Sequence, residues 1–349
     1  MGNGLMKAIV KKKKGAGNIE LMEVKVPLIS NDEVLIQVKA VGVCGTDYHI
    51  YLGEYNTSNP VIIGHEFSGE IVEAGNKIKK FKKRDRVISE LNVGSCGFCR
   101  LCKTGNPQVC PSKRAPGTYV NGAYAEYIKM PAKLVHKIPD NVSFEEATVV
   151  EPAAIVAHSL LERTKIEPED FIVIFGLGPI GLLAVQMAKI YGARAIVVVG
   201  IDADEGNKFR LAEKLGADYI FNASKIDVNQ KVLELTNGFG ADLVVECSGN
   251  GNAINTGINL LRKQGRMCVI GIPGPEKLSI NWKKSVLSAH SYVFNFSSSP
   301  LSWDWVLSMM KRKVLNIESL ITHREPLKNW EKVFNEMKKG NVIKAILYP

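Results

Sequence analysis

Near residue 150 the chain changes its hydrophobic period, and that change constrains the fold more than any other feature. After "EEATVVEPAAIVAHSLLERT" it alternates short apolar runs with amphipathic stretches: "FIVIFGLG", "PIGLLAVQMAKIYGA", "AIVVVGID", "GNKFRLAEKLGA", "DYIFN", "VNQKVLELTNG", "ADLVVECSG", "AINTGINLLRKQG", "RMCVIGI". Continuous apolar runs of this length suit strands buried on both faces, and parallel strands need helical crossovers between them. The pattern predicts an α/β unit with a doubly wound parallel sheet. Residues 6 to 150 read differently. Runs such as "MKAIVKK", "EVLIQVKAVGVC", "EFSGEIVEAG" and "AEYIKM", broken by Gly, Pro and Asn, predict an irregular, mostly β domain. Beyond about 290 the βα alternation lapses, and the closing "KAILYP" reads as a strand rejoining the first domain. The expected division is 1–152, 153–290 and a return segment 291–349. A chain of 349 residues, 46% hydrophobic, has material for two such cores.

Within "FIVIFGLGPIGLLAVQMAK", Gly176, Gly178 and Gly181 carry the G-x-G-x-x-G spacing between a strand and a helix. The first glycine permits the tight turn, the second lets the backbone approach a pyrophosphate, and the third lets helix and strand pack closely. The helix that starts near Pro179 points its free amides at the phosphates, with Leu177 and Ile180 completing the turn. A carboxylate about 20 residues further on binds the ribose hydroxyls in an NAD site. Asp202 stands there, with Asp204 close behind, so NAD is expected over NADP. Lys208 and Arg210 are near enough to keep NADP open. Ile270 and Gly271 end a later strand at the same carboxyl edge, where the nicotinamide end is expected.

Four of the seven cysteines, Cys96, Cys99, Cys102 and Cys110, fall within fifteen positions. The C-x2-C-x2-C-x7-C spacing, in a compartment that keeps thiols reduced, fits a closed tetrahedral zinc shell with a structural role. The rival is an iron–sulfur cluster, whose C-x2-C-x2-C start is shared but whose final spacer is shorter. A second set of ligand types, Cys44, His65, Glu66 and Glu151, is spread over more than a hundred residues and converges only if the fold brings it together. Beside a dinucleotide fold such a set suggests an open, catalytic zinc that polarises an alcohol.

The net charge of +10 arises from 45 Lys and Arg against 35 Asp and Glu, scattered through "KKKK", "KIKKFKKRDR" and "MKRK" among alternating apolar residues. That is the texture of a solvated surface, so no nucleic-acid partner is expected. The first ten residues lack a signal h-region, and no uninterrupted apolar run reaches the ~18 residues of a membrane span. A cytoplasmic protein without a membrane partner is the expectation.

The stretches "CGTDYH", "GHEFSGEIVEAG", the four-cysteine lobe, "EPAAIVAHS", "GLGPIG", "LGAD" and "VVECSG", in this order, resemble the zinc-dependent medium-chain dehydrogenase family over essentially the whole chain. Glutamate at 151 is most similar to its polyol dehydrogenase branch. The resemblance implies a GroES-like first domain holding a catalytic zinc through Cys44, His65 and Glu66. Glu151 would be either a direct ligand or the partner of a zinc-bound water. It also implies two zinc ions per chain, a Rossmann second domain, NAD as hydride acceptor, a polyol or sugar substrate and a homo-oligomer, tetramer or dimer. Thr46 would accept the alcohol proton and His49 relay it outward. Asp47 is expected to support its loop and Tyr51 to line the pocket. L-threonine or a polyol phosphate is the alternative substrate, and a non-catalytic nucleotide-binding protein the alternative class.

Overall fold

A computed structural model describes residues 4–274 and 276–349. The chain divides into two compact units: 1–151 with 307–312 and 321–349, and 152–306 with 313–320. No helix among the described residues is long and apolar enough to cross a membrane.

The first unit is built on β-structure, as its broken β-branched runs require. Strand Glu33–Gly42 lies inside a seven-stranded sheet, between strands Lys344–Tyr348 and Glu66–Ala74, and also pairs with Tyr127–Pro131. Val34, Leu35 and Ile36 are all buried there, which explains a continuous apolar run in place of a strict alternation. The closing strand returns as expected, with Ile346 and Leu347 antiparallel to Gly42 and Val41. A three-stranded sheet, Ile19–Lys25, Leu5–Lys11 and Val61–Ile62, adds Met6, Ala8, Ile9 and Val10 to the same core.

The lysine-rich runs are solvated faces pinned by single apolar anchors. Phe81 is buried in "KIKKFKKRDR" beneath the Lys80 and Lys137 ammonium groups. The first lysine of "KKKK", Lys11, is itself buried, and its Nζ donates to the Gly15 and Gly17 carbonyls.

The second unit is a six-stranded parallel sheet in the order Tyr219–Asn222, Ala195–Gly200, Phe171–Phe175, Ala241–Glu246, Leu261–Val269, Ser291–Phe294. This is the 3-2-1-4-5-6 order of a doubly wound sheet, and its switch point lies between Phe171–Phe175 and Ala241–Glu246. Every residue of Phe171–Phe175 is buried. The unit extends past the expected boundary at 290. Ser291–Phe294 hydrogen-bonds alongside Leu261–Val269 as the sixth strand, so the last long return to the first unit starts at Ile321.

One turn makes a sharp demand on sequence. Gly64, immediately before His65, has φ +86°, and a Cβ there would lie 2.0 Å from the Tyr124 ring. Tyr124 is fully buried, so the ring has nowhere to go. Gly64→Ala is expected to cost at least about 2 kcal/mol and to lower the thermal midpoint by several degrees. A calorimetric scan coincident with that of the parent protein would contradict this.

Candidate active site

The second ligand set converges in the first unit. Cys44 ends the run out of strand Glu33–Gly42 and is the N-cap of helix Gly45–Leu52. His65 and Glu66 stand at the start of strand Glu66–Ala74. One ligand atom from each of Cys44, His65 and Glu66 lies within 4.8 Å of the others, and His65 and Glu66 are buried.

Asp47 fixes this arrangement. At the third helical position its Oδ2 accepts the Cys44 backbone N–H at 3.0 Å, one arm of a capping box, and the Tyr124 hydroxyl at 3.0 Å. Its Oδ1 stands 3.6 Å from His65 Nδ1, and neither of these two buried atoms has a hydrogen-bond partner among the described residues. With Nδ1 turned to a carboxylate, Nε2 is the nitrogen left for the cluster, the orientation a metal-binding histidine takes from its outer partner. Burial opposes charge on the His65 ring, but Cys44 and Asp47 outweigh it and push the pKa well above its usual value. A cation beside Nε2 would replace that proton. The donor set of thiol, imidazole and carboxylate suits zinc.

Glu66 carries a second constraint. Its Oε2 accepts Lys344 Nζ at 2.6 Å, both side chains are almost wholly buried, and the same ammonium reaches the Val43 carbonyl at 3.2 Å. Burial disfavours the charged lysine, yet Glu66 and Cys44 hold its pKa above normal. Lys344 is a site residue the sequence reading missed. Its one signal is a lysine opening the otherwise apolar strand "KAILY".

Glu151, in helix Val150–Ala157, is buried but stands outside the group of three. Burial pushes its carboxyl up to about 7, Glu66 adds to the shift, and His65, Lys344 and Lys113 oppose it. Thr46 is half-buried in the first turn after Cys44. His49 is exposed, with Nδ1 2.7 Å from Glu54 Oε2. Tyr51 is half-buried, and its ring packs against Trp330 and Phe334, which ties its helix to helix Trp330–Lys338. Tyr55, absent from the sequence reading, is half-buried within electrostatic reach of Cys44 and His65.

The lobe cysteines are all free thiols. Their sulfurs lie 3.7 Å (Cys96 to Cys110), 3.9 Å (Cys99 to Cys110) and 4.0 Å (Cys96 to Cys102) apart. A tetrahedron of sulfurs about 2.3 Å from one zinc has edges of about 3.8 Å, so the lobe fits a single ion more closely than a multi-iron cluster. Backbone N–H groups, that of Cys96 foremost, pull the Cys110 thiol down to about 6, whereas burial pushes Cys102 up to about 12. Four thiolates this close need a cation to ionise together.

In the second unit the glycine fingerprint sits at the sheet's switch point. Gly178 caps helix Pro179–Ile190, and a Cβ on Gly181 would lie 1.9 Å from the Gly176 carbonyl oxygen. A groove of about 550 Å3 runs along the strand ends, walled by Gly176, Gly200, Asp204, Ser224, Ser248 and Asn250 among others. Its glycine-lined wall, at the turn that leads into helix Pro179–Ile190, suits a dinucleotide. Of the two acidic candidates, Asp204 lines this groove, with Oδ2 on the Ile201 N–H and Oδ1 2.8 Å from Lys208 Nζ. Asp202 is held by Asn222 instead, at 2.7 Å. The short 3-10 turn Asp202–Asp204 causes the exchange by folding the chain back on Ile201. Leu177 is buried, Pro179 and Ile180 are half-buried, and the Ile270 and Gly271 amides both donate to the Glu246 carbonyl.

Residues 30–140 match the model of the alcohol dehydrogenase GroES-like domain, and residues 179–312 that of the zinc-binding dehydrogenases. A sorbitol dehydrogenase of Halalkalibacterium halodurans is 37% identical over 344 residues, 99% of each chain. The chain belongs to the zinc-dependent medium-chain dehydrogenases. Within that family it is polyol-dehydrogenase-like. A D-arabitol-phosphate dehydrogenase of Enterococcus avium is 36% identical, with 98% of this chain and 97% of that one covered. A solved structure of a zinc-binding dehydrogenase from Sinorhizobium meliloti, bound to NADP, superposes with a TM-score of 0.92 at 28% identity, covering 99% and 100% of the two chains.

Lys344→Met would leave the Glu66 carboxylate buried without its cation. A loss of about 3 kcal/mol in urea unfolding is expected. Because the folded-state pKa of Lys344 is raised, its contribution is complete below the usual lysine value and fades as pH climbs through the folded value. The parent and the variant therefore converge at strongly alkaline pH. Equal stability at neutral pH would refute the assignment.

Proposed function

We propose that this chain is a zinc- and NAD(P)-dependent dehydrogenase that oxidises a secondary alcohol of a polyol or sugar. The observation that carries the reading is the meeting of half-buried Cys44 with His65 and Glu66 in one group braced by Asp47. A protein that only bound nucleotide would have no need to hold that set together. In this reading Cys44, His65 and Glu66 hold the catalytic zinc, and Glu151 acts from just outside on the water or alcohol beside it. Cys96, Cys99, Cys102 and Cys110 hold a second, structural zinc.

Bound zinc supplies Lewis acidity that lowers the pKa of the substrate hydroxyl. The chain's residues do the rest. Asp47 keeps His65 Nε2 aimed at the centre, and Lys344 limits the negative charge on Glu66, which leaves the donor set closer to neutral. The Thr46 hydroxyl takes the alcohol proton, and His49, exposed and paired with Glu54, passes it to solvent. The fingerprint glycines seat the pyrophosphate. The Asp204 carboxylate in the groove favours a free ribose over a 2'-phosphate and so NAD over NADP, with Lys208 tempering that choice. The seven free thiols suit a reducing compartment such as the cytoplasm, and a homo-oligomer, tetramer or dimer, accords with the family.

The zinc-loaded protein should be offered sorbitol, other pentitols and hexitols, D-arabitol phosphate and L-threonine with NAD or NADP, and the appearance of reduced cofactor followed by its absorbance. Turnover is expected with at least one polyol and NAD, at a higher kcat/KM than with L-threonine. No turnover with any polyol, or with any secondary alcohol in either direction, would defeat the proposal.

A further inference from the structure

At the carboxyl edge of the second unit's sheet, one buried carboxylate belongs to neither the fingerprint nor the acidic turn. Glu246, the last residue of strand Ala241–Glu246, has no solvent exposure. Its hydrogen-bond partners are neutral donors. Oε1 accepts the Ser248 N–H at 2.8 Å, the Gly249 N–H at 2.9 Å and the Ser248 hydroxyl. The bonds continue outward. Ser248 Oγ accepts the Asn250 N–H at 3.1 Å, and Asn250 Oδ1 caps helix Gly251–Leu260 by accepting the Asn252 and Ala253 N–H groups at 2.9 and 3.3 Å.

Ser248, Asn250, Asn252 and Ala253 all line the groove; Glu246 itself does not. Its own carbonyl accepts the Ile270 and Gly271 N–H groups, both at 2.9 Å, and the next residue, Cys247, donates to the Phe175 carbonyl just before the fingerprint turn. Glu246 thus ties together the loops that leave two adjacent strands, and its neighbour Cys247 links them to a third. A buried carboxylate is costly unless its lone pairs are filled, and removing it would orphan the inward-pointing Ser248 and Gly249 amides.

We infer that Glu246 is a positioning residue for the dinucleotide: through Ser248 and Asn250 it sets one wall of the groove. This rests on the dinucleotide reading of that groove. The role is one of geometry, acceptor oxygens in a fixed place, and the fixed wall spares the cofactor the cost of ordering it.

The test is a fluorescence titration of the zinc-loaded enzyme with NADH, for the parent and for Glu246→Leu, Glu246→Gln and Ser248→Ala, together with KM for NAD and for the alcohol. Glu246→Leu is expected to weaken NADH about tenfold and to raise the KM for NAD in step, while the alcohol KM moves less than about twofold. Glu246→Gln keeps an accepting oxygen and should stay within about threefold of the parent, with Ser248→Ala in between. A folded Glu246→Leu enzyme that binds NADH like the parent overturns the inference, as does Glu246→Gln failing equally with it. If Glu246→Leu does not fold, Ser248→Ala decides, and parent-like NADH binding by that variant sinks the inference. Failure of the parent itself to bind NADH would instead refute the dinucleotide reading.

Discussion

The Asp47 carboxylate is the constraint on which the first unit's chemistry rests. It is fully buried; one oxygen accepts the Cys44 amide and the Tyr124 hydroxyl, and the other faces the His65 ring at 3.6 Å. A carboxylate without such partners is costly in a core. Because it does have them, two ligand-type residues 21 positions apart in sequence are held on one side of one group. Lys344 plays the complementary part from the far end of the chain. The return of the last strand is therefore electrostatic as well as architectural, since it delivers a cation to Glu66 across 278 residues of sequence.

The second unit solves a different problem with the same device. A parallel sheet leaves loops at the carboxyl ends of its strands, and those loops must be rigid to hold a ligand tightly. Here rigidity comes from acids turned inward on backbone amides. Asp204 folds back on Ile201, and Glu246 binds the Ser248 and Gly249 amides. A side chain committed to its own backbone adds no flexibility of its own. This limits how much ordering a bound cofactor would have to impose.

Much of this was legible in the sequence, and the reason is locality. The glycine fingerprint, the four-cysteine lobe and the βα alternation are patterns over fewer than 30 residues whose physics depends mainly on near neighbours. The closing strand could be read from its apolar run. Features that depend on tertiary placement were not readable. Asp47 does support its own loop through the Cys44 amide, as its place in "CGTDYH" suggests, but nothing there states that His65 will face it. The packing of Tyr51 against Trp330 and Phe334 joins residues about 280 positions apart, which no local pattern announces. Asp202 has the right spacing from the glycines, but one short turn gives the groove to Asp204. The boundary expected at 290 fell early because "SYVF" is a four-residue edge strand, too short to announce its partner.

A cation is expected among Cys44, His65 and Glu66, separate from the one in the cysteine lobe. Anomalous diffraction at the zinc edge, on crystals of the zinc-loaded protein, tests it most directly. Two peaks per chain are expected, one about 2.0–2.3 Å from Cys44 Sγ and His65 Nε2 and one centred among the four lobe sulfurs. A single peak in the lobe, with Cys44 and His65 bare in fully loaded crystals, would contradict the account.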